Sequence, residues 1–128
     1  MPDDNIREHS FPDELKQIGV DFDGVIHKNS KGYYDGTVYD EPVDGARDAL
    51  KRLAAKYTVV IYTTKAKADR PVVDGRTGSE MVWRWLEKYE MAEFVSELTA
   101  EKPRAIAYID DKGIEFTDWD STLERLVV

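Results

Sequence analysis

The sequence predicts an α/β protein in which helices cover both faces of a mostly parallel central sheet, giving a three-layer sandwich. Three short apolar runs, at residues 18–20, 57–62 and 105–109, alternate with segments of helical periodicity. The run Tyr57–Tyr62 is almost entirely apolar or β-branched, which is typical of a strand that is buried on both faces of a parallel sheet. Polar side chains follow these runs at their carboxyl ends, which is where parallel sheets bind ligands.

Each element is predicted from a local pattern. Ala46, Leu50 and Leu53 recur at helical spacing. Thr77 and Glu80 have the spacing of a capping box at the start of a second helix. The predicted elements are strands at 16–20, 57–62 and 105–109, a short strand at 94–95, helices at 44–56 and 78–89, and a short helix within 114–128.

A two-stranded flap is predicted directly after the first strand. Residues 28–41 contain three tyrosines, Gly32 and an Asp35-Gly36 pair, and Asp-Gly between aromatic and β-branched residues favours a β-hairpin. Two interpretations remain open, namely an ordinary surface hairpin and a cover for a substrate.

The chain of 128 residues suits one compact domain. Residues 1–14 are polar and carry two prolines, so we expect a flexible N-terminal arm, followed by a single domain over 15–128.

Composition limits the classes of partner. The net charge of −8 argues against an extended nucleic acid as partner, although a small phosphate ester is compatible with it. Cysteine is absent and there are two histidines, so neither a disulfide framework nor a zinc site of the cysteine type is expected. The sequence has no long apolar run and no signal-peptide core, so we expect a cytoplasmic protein without a membrane partner.

Acidic and hydroxyl side chains follow three predicted strands. Asp21 and Asp23 follow the first strand, Thr63 follows the second, and Asp110 and Asp111 follow the strand at 105–109. Lys102 lies in the loop that leads into that last strand. We expect these groups to meet at one edge of the sheet.

Carboxylates without cysteine or clustered histidine suit a hard cation, and Mg²⁺ is the expected one. Mg²⁺ with a lysine and a hydroxyl would receive a phosphoryl group, which one carboxylate could attack while a second transfers protons. Each residue also has an ordinary structural interpretation. Asp21 and Asp23 could form a hydrogen-bonded turn, Asp110 and Asp111 could cap a helix, and Thr63 could bond its own backbone.

The segment Asp21-Phe22-Asp23-Gly24-Val25 resembles the first motif of the haloacid dehalogenase superfamily. Thr63, Lys102 and Asp110-Asp111 resemble its second, third and fourth motifs in the same order. The resemblance implies a Rossmann-like core and a Mg²⁺-dependent phosphatase that acts through an aspartyl-phosphate. The second aspartate, Asp23, favours phosphoryl transfer over dehalogenation within that superfamily.

The resemblance also implies roles. Asp21 would be the nucleophile and a metal ligand, and Asp23 the general acid/base and a ligand through its backbone carbonyl. Thr63 and Lys102 would hold phosphoryl oxygens, and Lys102 would also steady Asp21. The remaining implied residues are Asp110 and Asp111 as metal ligands, and Thr64 and Gly24 as substrate contacts.

The interval between the first two motifs is too short for a large cap domain, so the protein resembles a small capless member. The loop 65–78 is then the expected rim of the site, with Lys65, Arg70 and Arg76 as possible contacts for an anion. For these three cations we favour a solvated loop, and for His27 a partly exposed structural role.

Two other classes of function are kept. One is a signalling module that binds Mg²⁺ and phosphate and in which Asp21 is a phosphorylated switch. The other is a scaffold that keeps the fold without turnover. The order of the acidic motifs disfavours the first, and the intact set of polar residues disfavours the second. The substrate, beyond being small and phosphorylated, and the oligomeric state are left open.

Overall fold

A computed structural model describes residues 16–110 and 116–126. The predicted arm at 1–14 and Asp111 lie outside these residues. The elements, in chain order, are β1 (Gln17–Asp21), α1 (Ala46–Ala54), β2 (Thr58–Tyr62), a 3₁₀ turn (Thr64–Ala66), α2 (Gly78–Lys88), a 3₁₀ turn (Ala92–Phe94), β3 (Glu97–Thr99), β4 (Ala107–Ile109) and α3 (Trp119–Leu126).

The four strands in the described part of the chain form one parallel sheet in the order β3-β2-β1-β4. β1 is central, since Ile18 pairs with Val59 of β2 on one side and with Ala107 of β4 on the other. The α/β class and the parallel sheet that the sequence predicted are therefore confirmed. The strand expected at 94–95 lies three residues later, because Ala92–Phe94 forms a 3₁₀ turn first.

The helices pack against one face of the sheet. Ile18 and Val20 of β1 and Ile61 of β2 join the same buried cluster as Leu50 of α1 and Leu86 of α2. Trp119 and Leu123 of α3 belong to this cluster as well. Within residues 16–110 and 116–126, the expected helical layer on the second face is not seen. The physical reason is that the link from β3 to β4, residues 100–106, contains Pro103 and forms no helix.

The second face carries aromatic side chains at its carboxyl end. Gly19 lies between Tyr62 and Tyr108, and a Cβ atom at this position would be 2.8 Å from Cδ1 of Tyr108. Glycine is therefore required at this point of β1 because the two rings occupy the space of a side chain.

The helices predicted at 44–56 and 78–89 are present, and so is the short helix predicted within 114–128. The capping box at the start of α2 is confirmed, with Thr77 Oγ1 accepting from the Glu80 N–H and the Glu80 carboxylate accepting from the Thr77 N–H. α1 begins at Ala46, two residues later than predicted, because Gly45 has a φ of +82° and interrupts the helical backbone.

The prediction of a hairpin at 28–41 is wrong, because these residues form consecutive turns without strand pairing. Asn29, Gly32, Tyr34 and Gly36 have positive φ angles, which are incompatible with extended strands. Side chains satisfy the backbone instead: the Ser30 N–H donates to Asp40 Oδ2 (3.0 Å) and the Lys31 N–H to Tyr39 Oη (2.6 Å). The base of this loop is closed by a bond from the Lys28 N–H to the Glu41 carbonyl (3.0 Å).

Among the helices of the described residues, none combines the length and apolar character that a membrane span requires.

Candidate functional site

The site lies where the direction of the strand order reverses. The chain proceeds from β1 outward through β2 and β3, then returns to place β4 on the other side of β1. In open α/β sheets, ligands usually bind at such a reversal, outside the carboxyl ends of the two flanking strands, which here are β1 and β4. Asp21 is the last residue of β1, and Asp110 directly follows β4.

Asp23 has the most complete set of contacts at this edge. Its Oδ1 lies 2.9 Å from Nδ1 of His27, and its Oδ2 lies 2.9 Å from Nζ of Lys65. The hydroxyl of Thr63 is a longer contact, 3.4 Å from the same Oδ2. The side chains of His27 and Lys65 are 0% and 1% exposed, whereas that of Asp23 is 22% exposed. The carboxylate is thus clamped from the inside and open on the outer side.

The tautomer of His27 follows from its second contact. The backbone N–H of Asp40 donates to Nε2 of His27 at 3.0 Å. Because a backbone N–H can only donate, Nε2 is the acceptor and Nδ1 carries the proton that is donated to Asp23. His27 is therefore a neutral donor that orients Asp23 and is itself oriented by the loop 28–41. The sequence predicted a partly exposed histidine at this position, and the complete burial of His27 shows that this prediction was wrong.

These contacts keep Asp23 ionised. Burial raises the pKa of Asp23, but the hydrogen bonds from His27 and Lys65 and the positive charge of Lys65 outweigh this effect, so that the pKa lies below its ordinary value of 3.8. At neutral pH, Asp23 is a carboxylate that accepts hydrogen bonds.

Lys65 is the largest departure from the sequence interpretation, which favoured a solvated side chain. It is 2% exposed. Thr63 caps the 3₁₀ turn Thr64–Ala66 by accepting from the Lys65 N–H (3.2 Å). Gly78, the first residue of α2, packs so closely on the Lys65 carbonyl that a Cβ atom would lie 1.6 Å from its oxygen. The turn and this contact direct Lys65 inward, towards Asp23.

The other two cations of the rim have different environments. Arg70 donates from Nε to the Thr64 carbonyl (3.3 Å) and lies 5.8 Å from the centre of the Tyr33 ring, which Lys65 Nζ approaches to 5.3 Å. Arg76 is exposed, as the sequence interpretation expected. Tyr33 therefore brings the loop 28–41 into contact with the rim beside Asp23.

Asp110 forms a second clamped carboxylate at the end of β4. It is 4% exposed, and its Oδ2 lies 2.9 Å from Nζ of Lys102 and accepts a hydrogen bond from Tyr62 Oη. Lys102 also lies 4.3 Å from the centre of the Tyr108 ring. The salt bridge of Lys102 is thus with Asp110, and a lysine from a different loop, Lys65, pairs with Asp23.

The remaining predicted site residues are Asp21, Gly24 and Thr64. Asp21 is partly buried, and its Oδ1 accepts from the Phe22 N–H at 2.8 Å. Gly24 is exposed, has a φ of +84°, and donates its N–H to the His27 carbonyl (2.7 Å), closing the turn that follows Asp23. Thr64 is exposed at the start of the 3₁₀ turn.

The carboxylates do not form a compact metal cluster in the part of the chain that the structure describes. Within residues 16–110 and 116–126, no group of three or more Asp, Glu, His or Cys side chains converges on one point. Asp111, one of the predicted ligands, lies outside those residues. The donor chemistry nevertheless suits Mg²⁺, since Asp21, Asp23 and Asp110 offer hard oxygen atoms at one sheet edge.

From the sequence, a solvated role is favoured for Lys65 and a structural role for His27, and Tyr62 is not assigned to the site. The available signals were the position of His27 four residues after Asp23, the position of Lys65 two residues after Thr63, and the position of Tyr62 at a strand end. None of these spacings is specific enough to identify a buried side chain.

Fold and site together define a parallel α/β protein with clamped carboxylates at the reversal of its strand order. Comparisons with protein-family models, curated proteins and solved structures find no match to the chain.

Proposed function

We propose that this protein is a Mg²⁺-dependent phosphatase that hydrolyses phosphate monoesters through an aspartyl-phosphate on Asp21. One observation carries the proposal: Asp21 and Asp110 end the two strands that flank the reversal of strand order, and Asp23 is held beside them by Lys65 and His27. The motif resemblance to the haloacid dehalogenase superfamily supports it.

In the proposed first step, a carboxylate oxygen of Asp21 attacks phosphorus as the bond from phosphorus to the leaving oxygen breaks. Asp23 gives its proton to that oxygen. The bound phosphoryl group places negative charge near the exposed side of the Asp23 carboxylate. A nearby negative charge favours the protonated carboxyl group of Asp23, which this step requires. In the second step, Asp23 takes a proton from water and the water oxygen attacks phosphorus. The bond between phosphorus and the Asp21 oxygen breaks, which releases inorganic phosphate and restores the Asp21 carboxylate.

Lys65 enters the proposed mechanism as the inner partner of Asp23. Its ammonium group stabilises the negative charge of Asp23 and contributes positive charge where the phosphoryl oxygens would lie. Thr63 contributes a hydroxyl donor on the same side. Lys102 holds Asp110 by a salt bridge and so contributes positive charge at the end of β4. Thr64 and Gly24 remain proposed substrate contacts.

Asp21, the backbone carbonyl of Asp23, Asp110 and Asp111 are the residues proposed to hold Mg²⁺. Bound there, the ion would neutralise charge on the phosphoryl group. Tyr62 and Lys102 already satisfy Asp110. These two residues therefore set how readily Asp110 becomes available as a ligand.

The proposed substrate is a small phosphate monoester. Loops 28–41 and 65–78 approach each other at Tyr33 and take the place that a cap domain would occupy. The proposal includes a cytoplasmic location and the Rossmann-like three-layer architecture, of which the described residues form the sheet and one helical layer.

The test is hydrolysis of p-nitrophenyl phosphate with Mg²⁺ and then with excess chelator. Asp21→Asn should abolish turnover, and chelator should abolish it in the wild type. Asp48→Asn, which neutralises an exposed carboxylate on α1, is the matched control and should keep wild-type activity.

A small capless site can reject this ester, so the wild type is also tested with a panel of phosphate monoesters and for an acid-stable phosphoryl adduct on Asp21. Full activity of Asp21→Asn would refute the proposed nucleophile. A folded protein that binds Mg²⁺ without turnover or adduct would favour a binding module, and one that does not bind Mg²⁺ would favour a scaffold.

A further inference from the structure

A cavity of about 300 Å³ lies outside the strand-end site. It is open to solvent on one side and is bordered by the loop 28–41, the turn at 73–76 and one face of α2. Its lining includes Val38, Met81, Trp85, Arg76, Arg84 and Lys88. This volume is at the lower end of the range for small-molecule sites. Of its lining residues, Arg76 was considered above as a rim cation of the strand-end site, and none is one of the described partners of Asp23 or Asp110.

The apolar wall of this cavity is rigid. Met81, Arg84, Trp85 and Lys88 are spaced so that one face of α2 presents them together. Trp85 is 5% exposed, donates from Nε1 to the Asp40 carbonyl at 2.8 Å, and packs edge-on against Phe22 with 5.2 Å between ring centres. The indole is therefore held in place before any ligand arrives.

The polar wall carries an excess of positive charge. Arg76, Arg84 and Lys88 line the cavity with a single carboxylate, that of Asp74. None of the three cations forms a salt bridge within the described part of the chain. The nearby Glu80 carboxylate already accepts the N–H of Thr77. In a protein of net charge −8, three cations without salt bridges at one cavity are a distinct feature.

We propose that this cavity binds a small amphipathic anion, with a flat apolar body against Trp85, Met81 and Val38 and an anionic group between Arg76, Arg84 and Lys88. A neutral apolar ligand would cover these cations without compensating their charge, which is costly. An anion offers charge-assisted hydrogen bonds to all three. The proposal is independent of the phosphatase proposal, since it uses different residues and no chemical step.

The probe is 2-naphthalenesulfonate, titrated into the full chain at neutral pH. Binding is followed by the nuclear magnetic resonance signal of the Trp85 indole N–H, assigned with Trp85→Phe, and by calorimetry. The neutral analogue 2-naphthalenesulfonamide has the same ring and tests whether the charge matters. We expect the sulfonate to change the chemical shift of the Trp85 indole N–H. The dissociation constant of the sulfonamide should be at least about tenfold higher, because it lacks the charge-assisted hydrogen bonds.

Variants assign the binding position. Arg84→Gln combined with Lys88→Gln should weaken sulfonate binding about tenfold or more. Arg52→Gln removes an exposed cation from α1 and should leave binding unchanged. The proposal is overturned if the Trp85 signal does not move at millimolar probe, if the sulfonamide binds equally well, or if the double variant binds like wild type. It is also overturned if Lys102→Gln weakens binding as much as the double variant, because the probe would then occupy the strand-end site.

Discussion

The ammonium group of Lys65 lies 2.9 Å from the carboxylate of Asp23, and the lysine side chain is 1% exposed. Because Lys65 is buried, it holds the Asp23 carboxylate in one position. Asp23 itself is partly exposed, so its carboxylate remains accessible from solvent. Lys65 is therefore central to the geometry of the candidate site and to its proposed chemistry.

Lys65→Met should lower the free energy of unfolding by about 3 kcal/mol, the lower end of the range for a broken buried ion pair, because Asp23 keeps His27 and some solvent. Chemical denaturation at pH 7 measures this loss. The pKa of Asp23 is lowered in the folded state, so its stabilising effect is present above 3.8 and is lost as the pH falls below that value. The loss of unfolding free energy caused by Lys65→Met should therefore become smaller as the pH falls below 3.8.

Lys67→Met is the control, since Lys67 is an exposed residue of the same loop, and it should have little effect. Equal losses for the two variants would contradict the special position of Lys65.

Tyr62→Phe should lower the free energy of unfolding by about 2 kcal/mol, because Asp110 is buried and would lose a hydroxyl donor. Thermal and chemical unfolding measure this change. Tyr108→Phe is a matched control on the same sheet face, since it keeps the ring against which Lys102 lies. A Tyr108→Phe variant as unstable as Tyr62→Phe would show that the hydroxyl of Tyr62 is not what stabilises Asp110.

Gly78→Ala should be severely destabilising, by about 3 kcal/mol or more, since the added Cβ would overlap the Lys65 carbonyl and something must shift. Gly75→Ala is the comparison. That glycine has a φ of +78° and open space around it, so its replacement should cost only about 1 kcal/mol of backbone strain. Denaturant titration of both variants checks the order, and a milder effect at position 78 would mean that α2 does not hold the Lys65 turn.

The carboxyl of Asp40 should titrate far into the acid range. The Ser30 hydroxyl and the N–H groups of Ser30 and Glu41 lower the pKa of Asp40 to about 2. Its contribution to stability is therefore present above 3.8 and is lost as the pH falls from 3.8 towards about 2. Titration of the carboxyl carbon by nuclear magnetic resonance measures the pKa directly. Ser30→Ala should raise this pKa towards 3.8, and Ser96→Ala should not change it.

Mg²⁺ at ten times its dissociation constant should raise the melting temperature of the wild type by about 5 °C, if it binds the folded chain as proposed. Excess chelator should reverse the shift. Asp21→Asn should reduce it, whereas Asp48→Asn should leave it unchanged. The same shift in Asp21→Asn as in wild type would place the ion elsewhere.

The positions of the strand-end acids could be predicted from the sequence because they depend on local patterns. Asp21 follows a run of apolar residues, Asp110 follows another, and parallel pairing brings both ends to one edge. The capping box of α2 was predictable for the same reason, since Thr77 and Glu80 are three residues apart.

The clamps around these acids could not be predicted, because they depend on packing between distant segments. The burial of Lys65 depends on the close approach of Gly78 to its carbonyl and on the turn capped by Thr63, and the charged loop around it gives no sign of these contacts. The turns at 28–41 replace a hairpin because Asp40 and Tyr39 bond to backbone N–H groups ten and eight residues away. Within residues 16–110 and 116–126, the second face of the sheet has no helix because the link at 100–106 is short and non-helical, which periodicity alone does not reveal.

The central position of β1 has a consequence for how the chain folds. β1 is the first strand in the described sequence, yet one of its neighbours, β4, is the last. A growing chain therefore exposes one edge of an apolar strand until residues 107–109 have been made. Such late closure raises the contact order, which slows folding, and leaves an unpaired edge open to intermolecular pairing. Synthesis of β4 is thus the step that pairs the second edge of β1 at the candidate site.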